Sequence, residues 1–476
     1  MSNITISNKA QLGQEPSLFK SRWDTTQVGP FGKRDLGGSG SPNDTVILPL
    51  TSDGSYNFDV DWGDSNRDNI TGYNQSEVTH KYSNTGIYEI RIKGDITGWQ
   101  FNDTVDDDKI LDISEWGPLR FTTGNINIFR GCRSLDVTAT DTLVLPANAS
   151  LMFNNTYNIN RLYASNWDTS ACTNMASISF PQNFNEDVGN WDVSNVTDLG
   201  STFSFCTGFN NAGSSSITGW DVSNVTSMNY LFSKTLFNHP IGVWNVSNVT
   251  SMANMFYGFT SLNPPSPFNQ DLSSWDVSNV THMNDMFAYG SFNNSSITGW
   301  NTSSVTSMDN MFDSNTGFNQ PIGSWDVSNA TSFNSVFHGF PSKPMSFNQD
   351  VSSWNVSGAT YFLSTFRGCT GFNQPIGNWT TTSMFNISSM LQNCSGFDQD
   401  LSNWNVSSLR YATDFMKNCT LSTTNYDRIL SGWSPQSVQN GVSISFGNSQ
   451  YSTATGASYR STLVSKGWTI TDGGAV

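Results

Sequence analysis

Large apolar residues return along this chain at intervals too long for the period of a helix or a strand. Trp167, Trp191, Trp220, Trp244, Trp275, Trp300, Trp325, Trp354, Trp379 and Trp404 are separated by 24, 29, 24, 31, 25, 25, 29, 25 and 25 residues. Twelve residues after each tryptophan from Trp191 onward stands a second large apolar side chain: Phe203, Phe232, Phe256, Phe287, Phe312, Phe337, Phe366, Leu391 and Met416. Smaller apolar residues fall two and five positions after the tryptophan, as in Val246 and Val249. Methionines fall eight and eleven positions after it, as in Met252 and Met255. These offsets fit neither a period of 2 nor a sustained period of 3.6. They predict a short extended piece, a turn, a second extended piece and one helical turn. Closed once per unit, such a coil buries its apolar residues only by lying on the next. Serine at Trp+3 and asparagine at Trp+4 (Ser247 and Asn248, Ser278 and Asn279) suit the corner, where their side chains reach nearby backbone.

The predicted architecture is mainly β: a parallel solenoid of about ten 25-residue coils, preceded by a small antiparallel β-sandwich. Residues 1–41 read as an N-terminal arm and 42–94 as the sandwich, with strand candidates at Tyr56–Asp64, Val78–Tyr82 and Gly86–Gly94. Residues 95–160 read as degenerate capping repeats, with worn rungs at Lys109–Trp116 and Ile128–Cys132. The ladder occupies 161–430, and 431–476 form a C-terminal cap in which Asn425–Trp433 and Tyr459–Lys466 are helical and Trp468–Thr471 extended. The longer units place their extra residues between the Trp+12 anchor and the next tryptophan, at Asn211–Ser216, Thr260–Pro267 and Pro341–Ser346. Insertions must leave a coil as loops, so these read either as tolerated decoration or as a candidate binding edge, with Tyr230, Tyr257, Tyr289, Phe292, Pro264 and Pro341 as its residues.

Composition narrows the functional classes. Acidic residues outnumber basic ones 38 to 22, for a formal charge of -16, and no basic stripe exists to neutralise phosphates; nucleic acid is not the expected partner. Only 13% of residues are charged, so the polar surface must come from Asn, Ser and Thr. Met1–Phe19 has no apolar signal-peptide core and no run of eighteen apolar residues occurs, so no membrane insertion is expected. Six cysteines are too few for a disulfide framework, although Cys369, Cys394 and Cys419 share the Trp+15 position and should lie in register, as buried thiols or within disulfide reach. Asp59, Asp61, Asp64 and Asp68 could offer oxygen ligands to calcium, the one cofactor the sequence suggests. Asp106–Asp108 is a looser candidate, read more simply as a solvated loop. His239, His282 and His338 fall at unlike offsets from their tryptophans, and the aspartates that recur beside the tryptophans (Asp192, Asp221, Asp276, Asp326) read as structural; no catalytic set emerges.

The repeated Trp-Asp-Val-Ser-Asn-Val-Thr-x-Met-x-x-Met-Phe, followed by Phe-Asn-Gln, resembles the repeat of the BspA-type leucine-rich surface proteins, most plainly in 275–287 and 300–325. The ending Tyr426–Trp433 with Lys466–Gly474 is similar to the C-terminal cap of that family. Asp61-Trp-Gly-Asp64 with His80–Tyr82 and Gly86–Tyr88 resembles a polycystic-kidney-disease-type (PKD) sandwich. The resemblance implies a parallel leucine-rich-type solenoid in a non-enzymatic surface or virion protein, outside the cell; the Asn, Ser, Thr and Gln of the repeats beside the aromatic residues of the variable edge suit recognition of a host or cell-surface glycan or protein. The alternatives are a structural spacer rod of a cell surface or phage tail and, remotely, a carbohydrate-active enzyme.

Overall fold

The computed structural model describes residues 17–27, 41–103, 106–259 and 265–476. The chain divides into two compact units, 1–172 and 173–476.

In the first unit the strands are β1 (Phe19–Asp24), β2 (Thr45–Ile47), β3 (Leu50–Asp61), β4 (Arg67–Ile70), β5 (Thr79–Lys81), β6 (Ile87–Trp99), β7 (Ile110–Glu115), β8 (Leu119–Arg120) and β9 (Asp136–Val137). Seven of them form one sheet in the order β4-β3-β6-β1-β7-β9, with β8 added to β6; β2 and β5 pair separately. β3 shows why its residues make a strand: Tyr56, Phe58 and Val60 are buried while Asn57 and Asp59 between them face solvent. The pairings among β4, β3, β6, β1 and β7 are antiparallel, whereas β8 on β6 and β9 on β7 are parallel.

This mixed, open sheet corrects the expected PKD-type sandwich at 42–94. Three predicted strands do form, but β5 leaves the main sheet, and β1 and β7 enter it from the segments read as arm and capping repeat. Phe19 and Trp23 of β1 are fully buried, with the Phe19 ring 5.0 Å from that of Trp99. An apolar pair isolated before a long polar stretch gave no hint of a strand that pairs some seventy residues away. Asp106, Asp107 and Asp108 are buried, not solvated: Asp106 pairs with Lys109 at 3.1 Å and accepts from the Ser41 hydroxyl and the Ile47 N–H.

The second unit is built of turns. Between β9 and β10 (Ser443–Ser445) the described residues contain no strand, only isolated single-residue bridges, most of them parallel and at the Trp+7 position, such as Ser227 to Ser251, Ser251 to His282 and His282 to Ser307. The expected ten-coil parallel sheet of leucine-rich type is therefore not what the chain forms. The reason lies in the backbone. The Trp+10 residue has a positive φ in Ser201, Tyr230, Asn254, Asp285, Asn310, Ser335, Ser364, Ser389 and Asp414, and Trp+14 repeats it in Lys234, Tyr289, Ser314, Asn393 and others. A left-handed residue cannot continue a strand. The units still bond to one another, but through every second N–H. Those of Met252, Asn254, Phe256 and Gly258 donate to the carbonyls of His282, Asn284, Met286 and Ala288 at 2.8–3.0 Å.

Side chains complete what the backbone starts. Trp220 and Trp244 stack at 6.0 Å, Trp275 and Trp300 at 6.4 Å, and Trp300 and Trp325 at 6.3 Å, all nearly parallel and buried. The Trp+12 phenylalanines run beside them, Phe256–Phe287 at 5.7 Å and Phe287–Phe312 at 5.8 Å. A polar ladder follows the outside. The Asn269 side-chain oxygen accepts from the Asn293 N–H, that of Asn293 from Asn319, and that of Asn319 from Asn348. The corner asparagines bridge units as well: Asn248 donates to the Ser223 carbonyl and Asn279 to that of Ser247.

The chain ends in α1 (Thr423–Trp433), α2 (Gly456–Ser465) and β11 (Thr469–Thr471), which pairs in parallel with β10. Ser422 caps α1, and Tyr426, Ile429, Leu430 and Trp433 make its buried stripe. Trp433 stacks on Trp404 at 6.5 Å, so a helix supplies the last member of the tryptophan column.

Candidate functional site

The insertions shape a cleft in the second unit. One long unit runs from Trp244 to Trp275 and another from Trp325 to Trp354; the two units between them are short. The long units raise walls on either side of a floor made by the short ones. One wall holds Phe259 and Pro265, the other Phe340 and Lys343, and the floor carries Tyr289, Ser291, Ser314, Thr316 and Gly317. The enclosed volume is about 500 Å³.

Each wall is tied to the floor by backbone. The N–H of Ser266 donates to the Tyr289 carbonyl at 3.2 Å and the N–H of Ser291 to the Ser266 carbonyl at 2.9 Å. That approach needs a glycine at 258, where a Cβ would lie 1.9 Å from the Tyr289 carbonyl oxygen. On the other side the N–H of Ser346 donates to the Thr316 carbonyl at 3.0 Å, and the N–H of Lys343 closes a tight turn onto the Phe340 carbonyl at 2.9 Å. Pro341 follows Phe340 in that turn, where its fixed φ is favourable. The turn brings the Phe340 ring, 41% exposed, and the Lys343 chain to the same mouth.

Beneath the floor lies a polar cluster. His338 Nδ1 is 2.8 Å from the Asp313 carboxylate, and both are buried; His338 Nε2 has no hydrogen-bond partner among the described residues. Phe340 packs edge-on over His338 at 4.8 Å. Burial, and then the neighbouring Asp313 carboxylate, push the Tyr289 phenol up, so its hydroxyl stays protonated at any physiological pH. Burial also raises the Asp285 carboxyl, with Asp313 and Asp309 adding to the effect. Tyr289 is itself held at φ 54, a conformation that strains a bulky residue.

Of the residues read from sequence as a binding edge, Tyr289 lines the cleft and Pro341 builds the turn beside it. Tyr257 lies behind, 5.4 Å from Tyr289. Tyr230 is exposed but does not line the cleft. Phe292 is corrected: it is 1% exposed and packs against Phe268 and Phe287 in the core. Pro264 lies outside the described residues. Phe259, Phe340, Lys343 and Gly317 were missed. The signal for them was present in the two long units flanking two short ones, but the spatial meaning of that order needs the stacking direction.

The calcium candidates do not converge. Asp59 accepts from Asn69, Asp61 from Arg67, Asp64 from Asn66 and lies 3.0 Å from His80, and Asp68 accepts from the Trp62 indole. Strand pairing spreads these carboxylates along a hairpin, each with its own partner. Among the described residues no group of three or more His, Cys, Asp or Glu is placed to hold a metal ion. Cys369, Cys394 and Cys419 are free, buried thiols whose sulfurs donate to the carbonyls of Phe337, Phe366 and Leu391.

The fold and the cleft together define a repeat protein of stacked turns joined to a mixed sheet. A family described as "Mycoplasma protein of unknown function, DUF285" matches at 126–216, 147–267, 209–289, 265–343 and 340–433, together more than half of the chain, and the chain belongs to that family. No curated protein and no solved structure matches it. The resemblance to BspA-type leucine-rich proteins and to PKD modules is thereby corrected: neither is among the matches, and the fold lacks the sheets they imply. The descriptors that came with that resemblance, adhesion and protein binding included, draw no support from these findings. No helix among the described residues is long and apolar enough to cross a membrane.

Proposed function

We propose that this chain is a non-enzymatic recognition protein, displayed outside the cell or on a virion, whose cleft between the insertions takes a glycan. The observation that carries the reading is the lining: the exposed Phe340 ring and Tyr289 stand beside the hydroxyls of Ser291, Ser314 and Thr316 in one cleft. A sugar presents C–H faces that lie on aromatic rings and hydroxyls that need donors and acceptors at their rim. Tyr289 supplies a phenol that stays protonated, and the walls belong to the variable insertions, where recognition can change without disturbing the stacked core.

The test is a glycan array and a pull-down from candidate cell envelopes, each run with the full chain and with a variant lacking residues 341–344. Near-ultraviolet circular dichroism of the tryptophan stack serves as the folding control. Glycan binding that the deletion abolishes supports the proposal. Binding lost only when the cells are treated with protease, with no glycan signal, points to a protein partner instead. No binding to any surface leaves the stack as a spacer, the role that its internal tryptophans and outer asparagine ladder also suit.

A further inference from the structure

We infer that the sugar this cleft takes is acidic, a carboxylate-bearing monosaccharide unit seated on Lys343; the inference rests on the glycan reading above. The chain holds 38 acidic and only 22 basic residues, yet the cleft lining contains one lysine and no aspartate or glutamate. The carboxylate beneath the floor, Asp313, is already paired with His338. Lys343 is exposed and forms no ion pair with any described residue.

The Phe340–Lys343 turn fixes the spacing of the two recognition elements. The backbone contact of first and fourth residues brings Phe340 and Lys343 to one mouth of the cleft. A pyranose lying on Phe340 would present an equatorial or exocyclic carboxylate within reach of that ammonium, while its ring hydroxyls face Ser314 and Thr316. The overall negative charge opposes an anion only at long range. At physiological ionic strength exposed charges beyond about 8 Å are largely screened; the nearer carboxylate, Asp313, acts on the Tyr289 part of the floor, so the seat for an anion is Lys343 at the mouth. A neutral sugar would leave Lys343 unused.

The experiment compares 3′-sialyllactose with lactose, and tri-galacturonate with a neutral trisaccharide, by calorimetry on the full chain. Two variants go with it. Lys343→Gln removes the charge from an exposed turn. Gly317→Trp fills the cleft from a position where an added Cβ meets nothing within 4 Å, with near-ultraviolet circular dichroism as its folding control. The expected result is that at least one acidic probe binds about tenfold or more tighter than its neutral counterpart, that Lys343→Gln erases the difference, and that Gly317→Trp abolishes binding. Equal affinity for acidic and neutral probes, or indifference to Lys343→Gln, overturns the acidic-sugar inference and leaves the glycan cleft standing. Binding that survives Gly317→Trp overturns the cleft itself. Failure of every probe to bind overturns the inference.

Discussion

The indole N–H of Trp300 donates to the carbonyl of Leu272 in the preceding unit at 3.2 Å, and the backbone N–H of Trp275 donates to that same carbonyl at 3.1 Å. The arrangement recurs down the column: Trp325 to Ile297, Trp354 to Ile322, Trp379 to Val351, Trp404 to Ile376 and, from helix α1, Trp433 to Leu401. The carbonyl three residues before each tryptophan thus closes its own turn and clamps the next unit. This explains why tryptophan, rather than another large apolar residue, holds the position.

Trp300→Ala should destabilise the second unit by about 3–5 kcal/mol through lost burial and the cavity left behind. Trp300→Phe keeps most of the ring stacking and loses only the donated bond, so the loss should be nearer 1–2 kcal/mol. Urea denaturation followed by tryptophan fluorescence separates the two. Equal effects of both substitutions would show that the indole N–H adds nothing to the clamp.

The repeat itself was plain in the sequence because the anchors recur as single residues at fixed offsets. The two C-terminal helices were plain too, since Tyr426, Ile429, Leu430 and Trp433 follow helical spacing. What the offsets could not show is the backbone that joins them. Extended residues and left-handed turns bury the same side chains, and nothing in an alternation of Ser, Asn and Asp at Trp+10 states that their φ is positive. The sheet before the repeats was misread for another reason: β1 pairs with β6 and β7 over long sequence separations, and only contact in space reveals it. Of the cleft, Tyr289 and Pro341 were legible as aromatic and turn residues near an insertion. Lys343 was not, because a lysine in a loop has no pattern.

Asp285 offers a pH test with a definite sign. Its carboxyl is raised in the folded chain, by burial first and then by Asp313 and Asp309. A carboxyl raised on folding favours the folded state below its unfolded value and loses that contribution as pH rises through the folded one. At pH 7 the ionised Asp285 is therefore a liability. Asparagine already occupies the same left-handed position at Asn254 and Asn310. Asp285→Asn should raise stability at pH 7, on the order of 0.5–1 kcal/mol, and the gain should vanish below the ordinary carboxyl value of 3.8. Thermal melts across pH 3–7 give the comparison (about five points suffice to fix the sign). A gain that persists at acid pH would assign the effect to something other than charge.

The corner aspartates behave in the opposite sense. Asp192, Asp221, Asp276 and Asp326 are held below their ordinary value of 3.8, first by the hydroxyl of the serine two residues on and then by its N–H. Depressed folded values mean that the stabilisation is complete above the unfolded value and fades as pH falls through the folded ones. Melting temperature should accordingly drop below about pH 4, and Asp276→Asn should flatten that acid limb, since Asn245 and Asn301 make the same turn. An unchanged limb would remove the corner carboxylates from the account.

The six cysteines are buried thiols outside any disulfide, and burial pushes the Cys206 and Cys419 thiols up to about 12. Thiolates are the reactive species, so a chromogenic disulfide reagent should label none of the six in the folded chain at pH 8 and all of them in denaturant. Fast labelling of any of them without denaturant would place that residue at a surface the structure does not give it.

Tyr289 links strain to recognition. Its left-handed backbone is unfavourable for an aromatic residue, by roughly 1–2 kcal/mol, while the equivalent Trp+14 positions in two later units carry Asn393 and Asn418, which tolerate that conformation. Tyr289→Asn exchanges the partly buried ring and its contact with Tyr257 for relief of that strain. The two changes oppose one another, so stability should stay within about 1 kcal/mol of the parent chain. Ligand affinity should not: the residue lines the cleft floor, and losing its ring should weaken glycan binding by about tenfold or more. Parallel measurement of denaturation and of glycan binding on the same variant decides the point. Intact stability with weakened binding means that the strain is kept for the ligand. Intact binding means that the aromatic residue at 289 is an accident of the repeat and that recognition lies elsewhere along the edge.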